Sequence, residues 1–149
     1  MDNITNIKFR LASIEHEKLT LNIQDIDVAE FDDNQLKFQY KIETLIRMSK
    51  NTILVEPSIR YLYEEKILLE VSVVLNFSID NLSAVIVVDK ENQTINTKAD
   101  ILPTFVSTAY STLRGIVYAR SSEVFLSKYP IPMIEVATLV QKNGITVED

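Results

Sequence analysis

Apolar and polar residues alternate through the first half of the chain, the period of strands with one buried face. In IKFRLAS, Ile7, Phe9 and Leu11 fall on one side, and Lys8 and Arg10 on the other. KLTLNI repeats the pattern with Leu19, Leu21 and Ile23. These runs read either as one long bent strand or as a hairpin around EHEK. DIDVAEFDDNQ, polar and acidic, predicts a loop or crossover. LKFQYKIETLIRM then sets Leu36, Phe38, Tyr40 and Ile42 against Lys37, Gln39, Lys41 and Glu43. After the turn residues SKN, TILVEPSIRYLY aligns Ile53, Val55, Ile59, Tyr61 and Tyr63. Pro57 interrupts that row, and proline cannot donate to a ladder, so this strand is expected at an edge or bulged. The strongest strand signal is ILLEVSVVLNFSI, with Ile67, Leu69, Val71, Val73, Leu75, Phe77 and Ile79 on one face. Short turns between such runs predict antiparallel neighbours.

NLSAVIVVDKENQTINTKAD is less readable: AVIVV suits a short strand and DKENQ a polar turn. From Asp100, the expected N-cap, the period becomes helical, with Pro103 in the first turn where its missing N–H does no harm. Leu102, Phe105 or Val106, Ala109, Leu113 and Ile116 or Val117 recur at helical spacing and should cover the sheet. A loop containing KYPIP and a short helix near MIEVATLVQK follow, and the final NGITVED reads as loose. Strands first and helices last predict an α+β fold. The expectation is one domain over residues 1–149, a four-stranded antiparallel meander followed by a long helix and a short C-terminal helix.

One row on the long helix does not belong to the apolar stripe. Ser107, Ser111, Gly115 and Ala119 recur every four residues, and Gly115 is one of only two glycines in the chain. Glycine inside a helix costs about 1 kcal/mol relative to alanine. Rows at this spacing are the ridges on which helices pack, and small residues allow close approach. The partner is either another copy of the helix across a two-fold axis or a strand or loop of the same chain.

Composition narrows the chemistry. There are no cysteines, which excludes disulfides, thiolate metal sites and cysteine nucleophiles. The single histidine, His16, supports no zinc cluster and no evident Ser/His pair, and its place in SIEHEKL suggests a surface or turn position. Glycine-rich phosphate loops and the G-x-S-x-G elbow are absent. EFDD at 30–33 reads as a solvated turn rather than a metal or acid–base site. A net charge of −6 argues against nucleic acid and anionic membranes. No apolar run reaches the length of a membrane span, and MDNITNIKFR lacks the form of a secretory signal. A non-enzymatic cytoplasmic protein without cofactor or metal is the expectation.

Taken in order, these segments resemble the SecB export chaperones and their SecB-like relatives. The resemblance rests on an F-x-L opening strand at Phe9, VAEFD in the loop, LKFQYKI, and the L-x-E-V…F-x-I pattern through Leu68, Glu70, Val71, Phe77 and Ile79. Tyr110 and Arg114 on the long helix and the proline-containing YPIPMIEVATL complete it. It implies a homotetramer, a dimer of dimers, whose long helices pack between sheets. The row Ser107, Ser111, Gly115 and Ala119 suits that interface. It also implies ATP-independent holding of unfolded or nascent clients in apolar grooves. Phe38, Tyr40 and Ile42 from the strand, with Phe125, Tyr129, Ile131 and Met133 from the proline segment, are the groove residues it nominates. Arg114 is expected to be structural, paired to a carboxylate or capping carbonyls.

Export-type members dock the SecA motor through acidic residues of the first and fourth strands. Leu68 and Glu70 match the fourth-strand part, but the first-strand positions fall on Lys18 and Asn22, with Glu15 and Glu17 nearby. The alternatives are a module with one fixed partner, such as a toxin–antitoxin chaperone that binds an antitoxin, and a small-molecule pocket protein. The last typically places its main helix before or among the strands.

Overall fold

The computed structural model describes residues 7–89, 91–92, 94–97, 101–134 and 145–148. Along the chain run β1 (Phe9–Leu21), β2 (Leu36–Arg47), β3 (Thr52–Tyr63), β4 (Lys66–Ile79), the one-turn helix α1 (Leu82–Val85), β5 (Ile86–Asp89), β6 (Thr94–Thr97), the long helix α2 (Ile101–Ser121) and β7 (Ile145–Glu148).

The expected meander does not form. The main sheet has five strands in the order β1-β4-β3-β2-β7, and it is mixed. β2, β3 and β4 are consecutive antiparallel neighbours, as their short turns require. β1 does not pair with β2. It crosses to the free edge of β4 and pairs along almost its whole length, from Phe9 opposite Ile79 to Leu21 opposite Leu69. Residues 22–35 span the three strand spacings between β1 and β2, about 14 Å, a distance an extended connection covers easily. Two 3-10 turns, Val28–Glu30 and Asp33–Gln35, shape this crossover, each capped by an aspartate side chain, Asp27 and Asp32. β7 pairs parallel with β2 over Thr44–Arg47, so the supposedly loose NGITVED ends in a strand. Most of the helix expected over residues 133–142, namely 135–142, lies outside the described residues, as does the Asp100 cap.

β1 is one continuous strand rather than a hairpin. Its register against β4 shifts twice, between Leu11 and Ser13 and between Glu15 and Lys18. Each shift is a bulge that re-aims the following residues. Phe9, Leu11, Ile14, Leu19 and Leu21 therefore stay opposite core residues of β4 although their spacing breaks strict alternation. The backbone of His16 lies within this strand.

α2 covers one face of the sheet, over β3 and β4. Leu102, Phe105, Val106, Ala109, Tyr110, Leu113 and Val117 are buried beneath it. Phe105 stacks on Phe77 at 4.2 Å and receives the edge of Phe9 at 5.0 Å. Each large apolar side chain buried this way contributes about 1.5–3 kcal/mol.

β3 is central rather than at an edge, and at Pro57 its ladder is interrupted rather than bulged. Its pairing with β4 passes from Val55–Leu75 to Ser58–Ser72, leaving Glu56 and Pro57 without β4 partners in the ladder. That gap accommodates the missing N–H. A second irregularity lies at the start of β4: Tyr61 faces Leu69 while Leu62 faces Ile67. Leu68 is the extra residue. The bulge displaces Ile67 from the core row and buries Leu68, which is 1% exposed. The β3–β4 turn places Glu64 and Glu65 both at positive φ, 48° and 66°. At the β2–β3 turn Asn51 is also left-handed; its side-chain oxygen accepts from the Leu82 N–H at 3.0 Å. β5 and β6 form a separate two-stranded ladder around DKENQ. Among the described residues, no helix is long and apolar enough to cross a membrane.

Candidate functional site

Where the crossover, the ends of β2 and β3, and the segment after α2 meet, aromatic side chains gather. Phe31 is the hub. It stacks on Tyr63 at 4.4 Å, meets Phe125 edge-on at 5.0 Å, and tilts against Tyr129 at 5.5 Å. Phe38 meets Tyr61 edge-on at 4.7 Å beside it. EFDD is thus a turn with one working aromatic: Asp32 caps Asn34, and the Asp33 carboxylate accepts from the Tyr129 hydroxyl. That carboxylate holds the Tyr129 phenol above its ordinary value.

Two further hydroxyls fix the segment that follows. Tyr61, from the sheet, donates to the Tyr129 carbonyl at 2.7 Å, and Tyr110, from α2, donates to the Pro132 carbonyl at 2.9 Å. Burial pushes both phenols up to about 12, and the neighbouring Tyr110 adds to the effect on Tyr61. The sheet and the helix thereby hold opposite ends of the same four residues.

Of the seven nominated groove residues, five reach the surface in some degree. Tyr40 is 44% exposed and Met133 86%, while Phe38, Phe125 and Tyr129 are half-buried. Ile42 and Ile131 are buried and belong to the core. Sequence reasoning missed Phe31, Tyr61 and Tyr63 as organisers of this region. An aromatic standing alone in an acidic crossover was the available signal for Phe31.

A second apolar surface lies at the other edge of the sheet. α2 packs mainly on β3 and β4 and touches β1 through Phe105 against Phe9, and Phe9, Leu11, Ile14, Leu19 and Leu21 are each 37–51% exposed on the helix side. On the helix itself Ser111, Gly115 and Ala119 are exposed and Ser107 is half-buried, with Tyr118 beside them at 72% exposure. A Cβ placed at Gly115 meets nothing within 4 Å. No strand or loop among the described residues needs that glycine. Arg114 is exposed near the same row, where its charge acts on the Tyr110 hydroxyl. Among the described residues no ion pair joins it to a carboxylate, one of the two structural roles expected for it.

On the outer sheet face, Glu70 is held between Lys18 at 3.0 Å and Arg60 at 3.2 Å. The Lys18 hydrogen bond, with the Arg60 charge, keeps its carboxyl below the ordinary value. Leu68, its companion as a docking residue, is buried and presents nothing to a partner. Among the described residues, no three His, Cys, Asp or Glu side chains converge to hold a metal ion. The chain matches no protein-family model and no curated protein.

Proposed function

We propose that the protein is a SecB-like, ATP-independent holding chaperone that binds unfolded or nascent polypeptides on exposed apolar surface. The observation that carries this reading is the split of large apolar side chains between core and surface. Behind a well-filled core, two strips remain open: Phe9 to Leu21 along β1, and Tyr40, Phe38, Phe125, Tyr129 and Met133 at the aromatic end. Extended apolar surface of this kind marks interaction sites, and aromatic and methionine side chains adapt to varied partners. A protein that binds only the unfolded state keeps its client unfolded by mass action.

Assembly into a tetramer, as a dimer of dimers, is part of the same proposal. Open space at Gly115 supports it, because the glycine's helix cost is offset by no contact among the described residues. A second reading, a module dedicated to one partner such as an antitoxin, is favoured by one observation. The Glu70 carboxylate is already engaged by two cations and Leu68 is buried, which weakens docking to a SecA-type export motor.

The test is light scattering with and without reduced, unfolded client proteins of unrelated sequence. Four chains per particle and co-elution with several clients are expected of the holding chaperone. Binding to one partner alone selects the dedicated module, and a monomer indifferent to every unfolded chain overturns both.

A further inference from the structure

The walls of the aromatic cluster and the ring that fills it are held very differently. One wall is Tyr63, 8% exposed at the end of the central strand β3. The other runs from Phe125 to Tyr129, where the Tyr61 hydroxyl ties the backbone to the sheet and, just beyond, the Tyr110 hydroxyl ties it to α2. Phe31 sits between them, stacked on Tyr63 and edge-on to Phe125. It comes from the crossover, whose two 3-10 turns bury no residue. From Asp27 to Gln35 every residue except Phe31 is exposed. Two polar bonds assist the ring. The Asp32 N–H donates to the Tyr63 hydroxyl oxygen at 3.2 Å, the long end of the ordinary range, and the exposed Asp33 carboxylate accepts from the Tyr129 hydroxyl. Asp25, Asp27, Glu30, Asp32 and Asp33 lie in this connection without a single Lys or Arg, and like charges along a connection favour its extension. A segment with few buried contacts and exposed hydrogen bonds opens at low free energy, while the strand and helix beneath it stay folded.

A preformed apolar cleft with a few placed polar groups is the usual form of a binding site, and here the chain fills it with its own side chain. We propose that the crossover is a lid, that Phe31 is a placeholder for an aromatic side chain of a bound polypeptide, and that the lid leaves as the polypeptide enters. The incoming ring stacks on Tyr63 beside Phe125, in the geometry Phe31 shows. The polar groups that hold the lid then serve the newcomer: the Tyr63 hydroxyl accepts a backbone N–H one residue after the ring, and the Tyr129 hydroxyl donates to a carboxylate two residues after it. The best-fitting segment therefore reads aromatic, any residue, acidic. Opening also uncovers Tyr63, which adds to the aromatic surface of Phe38 on the same side of the sheet. That the polypeptide is an unfolded client rests on the holding function proposed above; the lid and its placeholder do not.

The chain contains no tryptophan, so Phe31→Trp gives the protein a single indole that reports on the lid. Seated on Tyr63, it should emit as a buried group and resist quenching by acrylamide. A reduced, carboxymethylated client that co-elutes with this variant should shift the emission to the red and raise the quenching. A co-eluting client that leaves both unchanged overturns the proposal.

Phe31→Ala, in the full chain, empties the cleft. The probe is a synthetic peptide of residues 27–35, followed by amide shifts at Phe125 and Tyr129. Because a tethered ring competes at an effective concentration near millimolar, the peptide should bind this variant at least tenfold more tightly than the unaltered protein. The same peptide with alanine in place of its phenylalanine should not bind. Equal affinity for the variant and the unaltered protein, or no binding to the variant, overturns the proposal. Should alanine unfold the chain, Phe31→Leu keeps apolar bulk without the ring stack, and a smaller gain in the same direction is expected of it. Peptide binding without client binding in any form rejects the holding function while leaving the lid standing.

Discussion

Replacing Gly115 separates the energetics of the single chain from those of its assembly. With nothing among the described residues within 4 Å of an added Cβ, an alanine methyl meets no obstacle in the monomer, and a leucine side chain starts from an exposed position. Both are better helix formers than glycine, so each should stabilise the isolated chain by about 0.8–1 kcal/mol. For a chain of this size that corresponds to a melting midpoint roughly 2–4 °C higher. Against a second helix the outcome reverses for leucine. A row of small residues allows axes near the short end of the usual range of about 8–10 Å, and a leucine in its middle holds them apart. Sedimentation equilibrium over a wide concentration range, with urea unfolding at the lowest concentration, reads both effects on the same samples. Gly115→Leu is expected to weaken self-association at least tenfold while raising monomer stability, and Gly115→Ala to raise stability with a smaller loss of association. An unchanged particle mass for Gly115→Leu refutes the helix-on-helix argument. So does an unaltered protein that stays monomeric at every concentration.

Three further predictions concern stability. Glu64→Asn with Glu65→Gly places residues suited to positive φ in the β3–β4 turn, where a left-handed conformation costs an ordinary residue about 1–2 kcal/mol, and should raise the unfolding free energy read from urea titrations by a net of about 1 kcal/mol. Around pH 4.5, Glu70's ordinary value, the native state binds fewer protons than the unfolded chain because its carboxyl is held lower. Stability present above that pH is therefore lost as pH falls through the native value, and urea titrations of Glu70→Gln should show a shallower acid limb. Tyr61 and Tyr110 act in the opposite direction: with native values raised to about 12 from 10.0, they favour the folded state fully below pH 10 and lose that contribution as pH rises towards 12. Tyr61→Phe should remove part of this alkaline loss and cost about 1 kcal/mol at neutral pH through the broken bond to the Tyr129 carbonyl.

The strands were legible in the sequence where alternation was long and uninterrupted. Leu69 to Ile79 forms the core row its pattern predicts, and Leu36 to Ile42 lies along one face as read. What alternation does not carry is a change of register. Leu68 and Ile67 exchange roles at a bulge, and two bulges in β1 preserve an apolar row whose spacing left one bent strand and a hairpin equally open. Neighbour order was also hidden. Short turns dictate β2-β3-β4, but a crossover of polar residues is compatible with several edges. β7, only four residues long, is too short for its period to register. At the candidate site, the aromatics of β2 and the proline segment were readable as a group. Their organiser, Phe31, lies in a stretch whose charge suggested only solvent, because its partners come from β3 and from beyond α2.

The crossing of β1 to β4 has a consequence for how the chain comes to be folded. β2, β3 and β4 can pair as each is made, since their partners are adjacent in sequence. β1 ends at Leu21, whereas its partner begins at Lys66. At roughly 5–20 residues per second of synthesis, β1 waits about 2–10 s after its own completion before β4 exists to receive it. Throughout that interval Phe9, Leu11, Ile14, Leu19 and Leu21 lack their β4 partners. Pairing so distant in sequence is slow even once both strands are present. Closure of β1 is thus expected to be the late step of folding, and the nascent protein is itself, for those seconds, an exposed apolar chain.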